Sequence, residues 1–191
     1  MLKTRLDTAR IQAAHRIIDP IFLDTPLYRC EALEPDLGCT VSIKLETANP
    51  VRSFKARGTE VVASQLADSG ARAVICASAG NLGQALAWSG RARALDVTVV
   101  ASRSAPTAKL DRIRSLGARL ELVDGDIELA RERAADIAQQ AGIRLSRTAW
   151  TSRPARARRR SAWSWLTAGT RSTPSSSRSA AARWPPVWVT W

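Results

Sequence analysis

The spacing of apolar residues changes several times along the chain. Between residues 40 and 46, Val41, Ile43 and Leu45 alternate with polar side chains, which predicts a strand with one buried face. From residue 73 onward, short apolar runs alternate with segments of helical period. The predicted strands are 73–77, 97–101, 119–123 and 143–145, and the predicted helices are 82–94, 106–117 and 127–141.

This alternation predicts an α/β fold. Strands that are joined through helices by short loops form right-handed crossovers, and these build a doubly wound parallel sheet. Two further helices are predicted before residue 73. The first spans 5–18 and is stopped by Pro20; the second starts at a Ser53 N-cap, runs to about residue 68 and is closed by Gly70.

Composition divides the chain into a body and a tail. Residues 148–191 contain eight arginines, six of the seven tryptophans and no lysine or acidic residue, so much of the net charge of +12 lies there. No helical or strand period runs through this segment, so we expect a disordered basic tail. A GC-rich gene that is read out of frame gives this composition. A frameshift near residue 147 and a genuine basic tail both stay open.

Cysteine, histidine and apolar content limit the class of protein. The three cysteines are an odd number without a C-x-x-C pair, which argues against a disulfide framework or a zinc site and predicts a cytoplasmic location. The single histidine, His15, has no evident partners for a metal site or a catalytic triad. No apolar run approaches the roughly 18 residues that span a bilayer, so no membrane partner is expected.

The first chemical motif is "SFKARG" at 53–58, in which Lys55 follows Phe54 at a predicted helix start. A lysine amine can condense with an aldehyde when desolvation or a nearby dipole frees it from its proton. Taken alone, the motif more often marks a solvated lysine on an amphipathic helix.

The second motif is "SAGNLGQ" at 78–84, which follows a buried strand and opens a helix. Its glycines allow a sharp turn, so that several amides and the helix N-terminus can point at one anion. Ser78 and Asn81 add a hydroxyl and a carboxamide. The spacing matches neither a dinucleotide fingerprint nor a P-loop. Open parallel sheets bind ligands at this carboxyl edge.

Together with "DTPLYRCEAL" and "IKLETANPVRSFKARG", the two motifs resemble one enzyme family over about residues 20–145. The resemblance is to fold-type-II pyridoxal-phosphate (PLP) enzymes, in particular threonine/serine dehydratases (ammonia-lyases) and serine racemases. It implies a tryptophan-synthase-β-like small domain and PLP as cofactor. It also implies a small amino-acid substrate, threonine or serine, and β-elimination to a 2-oxo acid and ammonia.

The resemblance also implies roles for particular residues. Lys55 would form the Schiff base with the cofactor and act as general base at the substrate Cα. Phe54 would pack beside the pyridine ring, and Asn81 would hydrogen-bond the cofactor's 3′ oxygen. The substrate carboxylate would be held by the Ser78 side chain and by the backbone amides of Ala79, Gly80, Asn81 and Leu82.

Two positions depart from the family pattern. Leu82 stands where the family usually has histidine, which leaves the substrate preference open. Ala79 stands where the racemases carry a serine that serves as a second base. Because alanine cannot move a proton, a dehydratase is preferred over a racemase.

The resemblance divides the chain into three parts. Residues 1–53 would be a remnant of the large PLP domain, 54–147 the small α/β domain and 148–191 the basic tail. The family's glycine-rich phosphate loop and its partner for the pyridine nitrogen have no counterpart after residue 147. We therefore expect the 191-residue chain to be inactive, and its binding of PLP and formation of the family's homodimer are open questions.

Two non-catalytic alternatives remain at this point. The chain could be an interaction protein whose tail binds nucleic acid through arginine charge and tryptophan stacking, or binds a protein partner. It could also be a pseudoenzyme that pairs with a full-length homologue.

Overall fold

The computed structural model describes residues 7–146 and the backbone of 187–190. Within these residues the strands form two sheets, one of four strands and one of three. The smaller sheet is built mainly from the N-terminal part of the chain, and the larger one follows residue 73.

The N-terminal part contains helix α1 (Thr8–Ile17), strand β1 (Leu27–Arg29), the short helix α2 (Glu34–Leu37) and strand β2 (Val41–Lys44). One-turn 3₁₀ helices lie at Pro20–Phe22, Glu31–Leu33 and Glu46–Ala48. β1 pairs antiparallel with β2. Arg29 donates to both carboxylate oxygens of Glu34, at 2.7 and 2.6 Å, and this lowers the pKa of Glu34 to about 2.

The following part contains four helices and four strands in alternation. In chain order they are α3 (Lys55–Asp68), β3 (Ala73–Ala77), α4 (Asn81–Arg91), β4 (Asp96–Ser102), α5 (Thr107–Ser115), β5 (Arg119–Val123), α6 (Ile127–Ala141) and β6 (Arg144–Leu145). All pairings are parallel, in the order β5-β4-β3-β6. The predicted doubly wound sheet is confirmed. α4 ends three residues before the predicted Ala94, which has a left-handed φ of 52°.

The large sheet is covered on both faces. On one face, Val74, Cys76 and Val99 pack with Leu86 of α4 and Ile113 of α5. On the other face, Ile75 and Val100 pack against a row of small α6 residues, Ala130, Ala134 and Ala138. Because successive strand residues point to opposite faces, the continuous apolar run at 73–77 supplies both layers.

The described residues of the tail form a strand that the sequence did not predict. β7 (Val187–Thr190) pairs in parallel with β2 over four residues. β-Branched valines suit a strand, and the pairing covers an edge of β2 that would otherwise be open. The expectation of a tail without regular structure is therefore wrong at these four residues. The eight arginines of the tail, on which the nucleic-acid alternative depends, lie outside the described residues.

Two simple requirements bear on the described part of the chain, a membrane-spanning length of apolar helix and a cluster of metal ligands. None of its helices is long and apolar enough to cross a membrane. Within it, no three His, Cys, Asp or Glu side chains are grouped in a way that could hold a metal ion.

The three thiols should differ in reactivity. Cys76 is fully buried in β3, and burial raises its pKa to about 12, whereas Cys30 and Cys39 are half-buried. At pH 8 we expect a disulfide reagent to modify Cys30 and Cys39 in the folded chain and Cys76 only after unfolding, because the thiolate is the nucleophile. Thiol titration with and without denaturant measures this. Equal native reactivity of all three would contradict the buried position of Cys76.

Candidate active site

Lys55 is the first residue of α3. The N-cap of this helix is Phe54, so the predicted Ser53 N-cap is wrong by one residue. The Lys55 amide nevertheless donates to the Ser53 side-chain oxygen at 3.2 Å, which satisfies one of the amides at the helix start. The Lys55 side chain is half-buried, and its Nζ lies 5.0 Å from the centroid of the Phe54 ring. No carboxylate within residues 7–146 forms an ion pair with this amine. The amine is therefore available to a ligand.

The segment from Ser78 to Leu82 forms the turn between β3 and α4. The Ser78 amide donates to the Val100 carbonyl of β4 at 3.1 Å, which fixes the turn at the carboxyl edge of the sheet. The Ser78 hydroxyl accepts from the Gly80 amide at 3.2 Å, so that amide is already engaged. No side chain caps the first turn of α4. The amides of Asn81 and Leu82 can therefore donate to an anion.

Gly83 allows α4 to pass close to this turn. A Cβ at this position would lie 2.1 Å from the Ser78 carbonyl oxygen and 3.2 Å from Val99 Cγ1. A non-bonded carbon atom cannot lie so close to a carbonyl oxygen. A residue with a side chain at this position would therefore displace either the helix or the turn. The second glycine of the predicted motif is thus required for packing.

The packing of α3 against α4 places the two motifs on neighbouring helices. Ala56 and Ala85 belong to one buried cluster with Phe22 and Val51. Further along both helices, the hydroxyls of Thr59 and Ser89 are 2.9 Å apart. Lys55 and the Ser78–Leu82 turn, which are 23 residues apart in sequence, are therefore held on one framework.

A cleft of about 810 Å³ opens beside this framework. Asn81 and Gln84 line it, whereas Lys55 and Ser78 do not. The remaining lining residues come from Ile21, from the loop 47–52 and from α5, namely Ala108, Lys109 and Arg112. The basic α5 residues were not predicted as site residues, because cations spaced three apart are typical of a solvated helix face.

The chain is an α/β protein in which a helix N-terminus without a side-chain cap lies at the carboxyl edge of a parallel sheet. Proteins with such sheets bind small molecules at this edge. The family model described as "Pyridoxal-phosphate dependent enzyme" matches residues 18–157, and the chain belongs to this family. The resemblance inferred from the two motifs is thereby confirmed, and pyridoxal phosphate is the cofactor of the family.

Several known proteins are similar to the chain. It is 32% identical over 117 residues to the Homo sapiens L-serine dehydratase/L-threonine deaminase, covering 59% of this chain and 36% of that protein. It is 36% identical over 117 residues to the threonine synthase of Mycobacterium leprae, covering 59% and 32%. The solved serine racemase of Dictyostelium discoideum is 25% identical, with a TM-score of 0.67 over 75% of this chain and 47% of that one. The chain thus spans about a third of these curated relatives.

The residues present fit the reactive end of the cofactor. Lys55 offers an amine for its aldehyde, Phe54 an exposed aromatic face, and Asn81 a carboxamide that lies at the cleft. The first turn of α4 offers amides for an anion. The role of each of these residues stays a prediction.

Proposed function

We propose that the chain is the N-terminal part of a PLP-dependent lyase that converts threonine or serine into a 2-oxo acid and ammonia. The observation that carries the proposal is that Lys55, at the start of α3, and the turn Ser78–Leu82, at the start of α4, belong to two helices that pack against each other. The similarity to an L-serine dehydratase/L-threonine deaminase supports the same reaction class.

The proposed chemistry divides between the cofactor and the chain. When bound, PLP supplies the electron sink that makes the substrate Cα–H acidic. The Lys55 amine takes the Cα proton, and no carboxylate of residues 7–146 forms an ion pair with it. The substrate hydroxyl leaves as water with the proton that Lys55 took from Cα. Hydrolysis of the C–N bond of the remaining enamine then consumes one water and releases ammonia and the 2-oxo acid. Ser78 and the α4 amides orient the substrate carboxylate throughout.

Ala79 favours elimination over racemisation. It follows Ser78 in the turn and has no group that could donate a proton to the opposite face of Cα. Once Lys55 has removed the Cα proton, residue 79 offers no acid that could return a proton from the other side. Loss of the hydroxyl is therefore favoured over racemisation. The threonine synthase and serine racemase relatives make transfer and racemisation the reactions to be distinguished from this one.

We also propose that the 191-residue polypeptide by itself does not convert threonine or serine into product. It contains no glycine-rich run after residue 147 to hold the cofactor phosphate. Lysine-dependent, saturable release of 2-oxo acid from this polypeptide with added PLP would contradict that expectation.

The reaction is tested on a protein whose reading frame is restored after residue 147. With PLP and either L-serine or L-threonine, we expect 2-oxo acid and ammonia in equal amounts, with no D-amino acid. Lys55→Ala should reduce the rate to background, and Lys109→Ala, which removes a lysine elsewhere at the cleft, should retain most of it. D-serine as the main product would overturn the lyase assignment.

A further inference from the structure

The loop before Lys55 is folded around one buried side chain. Asn49 is 3% exposed, and its carboxamide oxygen accepts from the amides of Val51 at 3.0 Å and Ser53 at 3.3 Å. Its carboxamide nitrogen donates to the Ser53 carbonyl at 3.2 Å and to Glu46 Oε2 at 3.3 Å. Both acceptor sites and both donor hydrogens of this one side chain are used.

The Asn49 bonds continue to the lysine through Ser53. Ser53 is held by Asn49 at both its amide and its carbonyl, and its hydroxyl accepts from the Lys55 amide. Within this loop, Arg52 has a left-handed φ of 56°, a conformation that non-glycine residues rarely adopt. The surrounding bonds therefore impose the path of the chain into α3.

A second link reaches α3 just after the lysine. Glu46 has no exposed surface, and its carboxylate accepts from Thr25 Oγ1 at 3.4 Å and from Arg57 Nη2, as well as from Asn49. Arg57 Nε also donates to the Phe22 carbonyl at 2.9 Å. Lys55 is thus bracketed by Ser53 on one side and Arg57 on the other, and Asn49 and Glu46 connect the two sides.

We infer that Asn49 is a positioning residue for Lys55. It does not touch the lysine amine, but it fixes the backbone from which that side chain starts, and so the place where the amine meets a ligand. A displacement of about 1 Å at a reacting group is costly, which is why a fully bonded buried side chain suits this place. The inference rests on the proposed function for its purpose, while its geometry can be tested without any cofactor.

The test uses NMR of lysine side chains in the 191-residue chain. The chain has four lysines, so a lysine-labelled sample gives four side-chain signals. The Phe54 ring, 5.0 Å from Lys55 Nζ, should shift the Lys55 signal, and Phe54→Leu measures that shift. We expect Asn49→Ala to remove about half of the shift or more, and to leave the Lys44 and Lys109 signals in place.

Two further variants separate positioning from stability. Asn49→Ser keeps a side-chain oxygen that can accept from the loop amides without placing a second carboxylate beside Glu46, and it should restore part of the Lys55 shift. This variant also provides the test if the alanine variant does not fold. Thr59→Ala removes the buried Thr59–Ser89 bond on the same helix pair and should lower stability with the Lys55 shift intact. An unchanged Lys55 signal in both folded Asn49 variants, or equal loss of the shift in Thr59→Ala, would overturn the inference.

A labelling experiment then distinguishes this inference from the proposed function. The variants are treated with pyridoxal phosphate and borohydride, and the modified fraction at each lysine is measured. A lower Lys55 fraction in Asn49→Ala, with an unchanged Lys109 fraction, supports positioning. An unchanged Lys55 fraction in that variant overturns it. If the same labelling of an unsubstituted, frame-restored protein shows no preference for Lys55, the proposed function fails, while the NMR result on the 191-residue chain still decides whether Asn49 positions the side chain.

Discussion

Gly83→Ala should destabilise the part of the fold built from α3 to β6, with a loss of about 3 kcal/mol in the free energy of unfolding. The added Cβ would lie 2.1 Å from the Ser78 carbonyl oxygen, and Val99 Cγ1 closes the other side at 3.2 Å. A backbone oxygen within a turn cannot rotate away as a flexible side chain does. Relief therefore requires α4 to shift against β3, which disturbs the proposed carboxylate site as well.

Gly58→Ala is the matched control. Gly58 is exposed in α3, and nothing lies within 4 Å of a Cβ built there. Alanine is better than glycine in a helix interior, so this variant should gain about 0.5–1 kcal/mol. Urea denaturation of the two variants should thus move the midpoint in opposite directions. Equal effects, or a stable Gly83→Ala variant, would show that α4 does not pass the Ser78 turn as described.

Arg57→Ala should also have a large effect on stability, with an expected loss of about 3 kcal/mol in the free energy of unfolding. The substitution leaves the Glu46 carboxylate, which has no exposed surface, without its cationic partner. The Arg57 side chain is itself 30% exposed, and water can therefore enter and replace part of the lost interaction. For that reason the expected loss lies at the low end of the range for broken buried pairs.

Arg131→Ala is the comparison for this variant. Its partner Glu128 lies one turn away on α6, and both side chains are more than half exposed. Such surface pairs contribute little, so we expect a change within about 0.5 kcal/mol. Arg57→Lys should fall between the two, because it keeps a positive charge but cannot reproduce the bond to the Phe22 carbonyl. Chemical denaturation of the three variants tests this order, and similar losses at Arg57 and Arg131 would contradict the buried pair.

The α/β part of the fold could be predicted because each of its elements carries a local signal. Strands 73–77 and 119–123 and helix 127–141 occur at the predicted residues. Apolar runs mark the strands, and Gly142, with a φ of 62°, ends the last of these helices. Helical period and glycine punctuation need no knowledge of distant residues.

The elements that were not predicted depend on distant partners. β1 has three residues and α2 four, too few for a periodic signal, and β1 exists as a partner of β2. β7 pairs with a strand that lies far away in the sequence, so no local pattern could reveal it. Pairing of this kind is decided by the sheet as a whole.

The candidate site likewise contains residues that the sequence predicted and a residue whose role it did not reveal. Lys55 and the Ser78–Leu82 turn were predicted because they lie in short motifs at recognisable element boundaries. The role of Asn49 was not, since a buried carboxamide that organises a loop is indistinguishable in sequence from an ordinary loop asparagine. Its bonds appear only once the loop is folded.

The central claim is that Lys55 is the lysine that binds the cofactor, and it is tested most directly by finding the lysine that carries it. A frame-restored protein is incubated with pyridoxal phosphate, reduced with borohydride and digested, and mass spectrometry locates the pyridoxyl group among its lysines, four of which lie in residues 1–147. The account predicts a visible absorbance band that borohydride removes, and an adduct at Lys55 that disappears in Lys55→Ala. An adduct at Lys44 or Lys109 in place of Lys55 would contradict it.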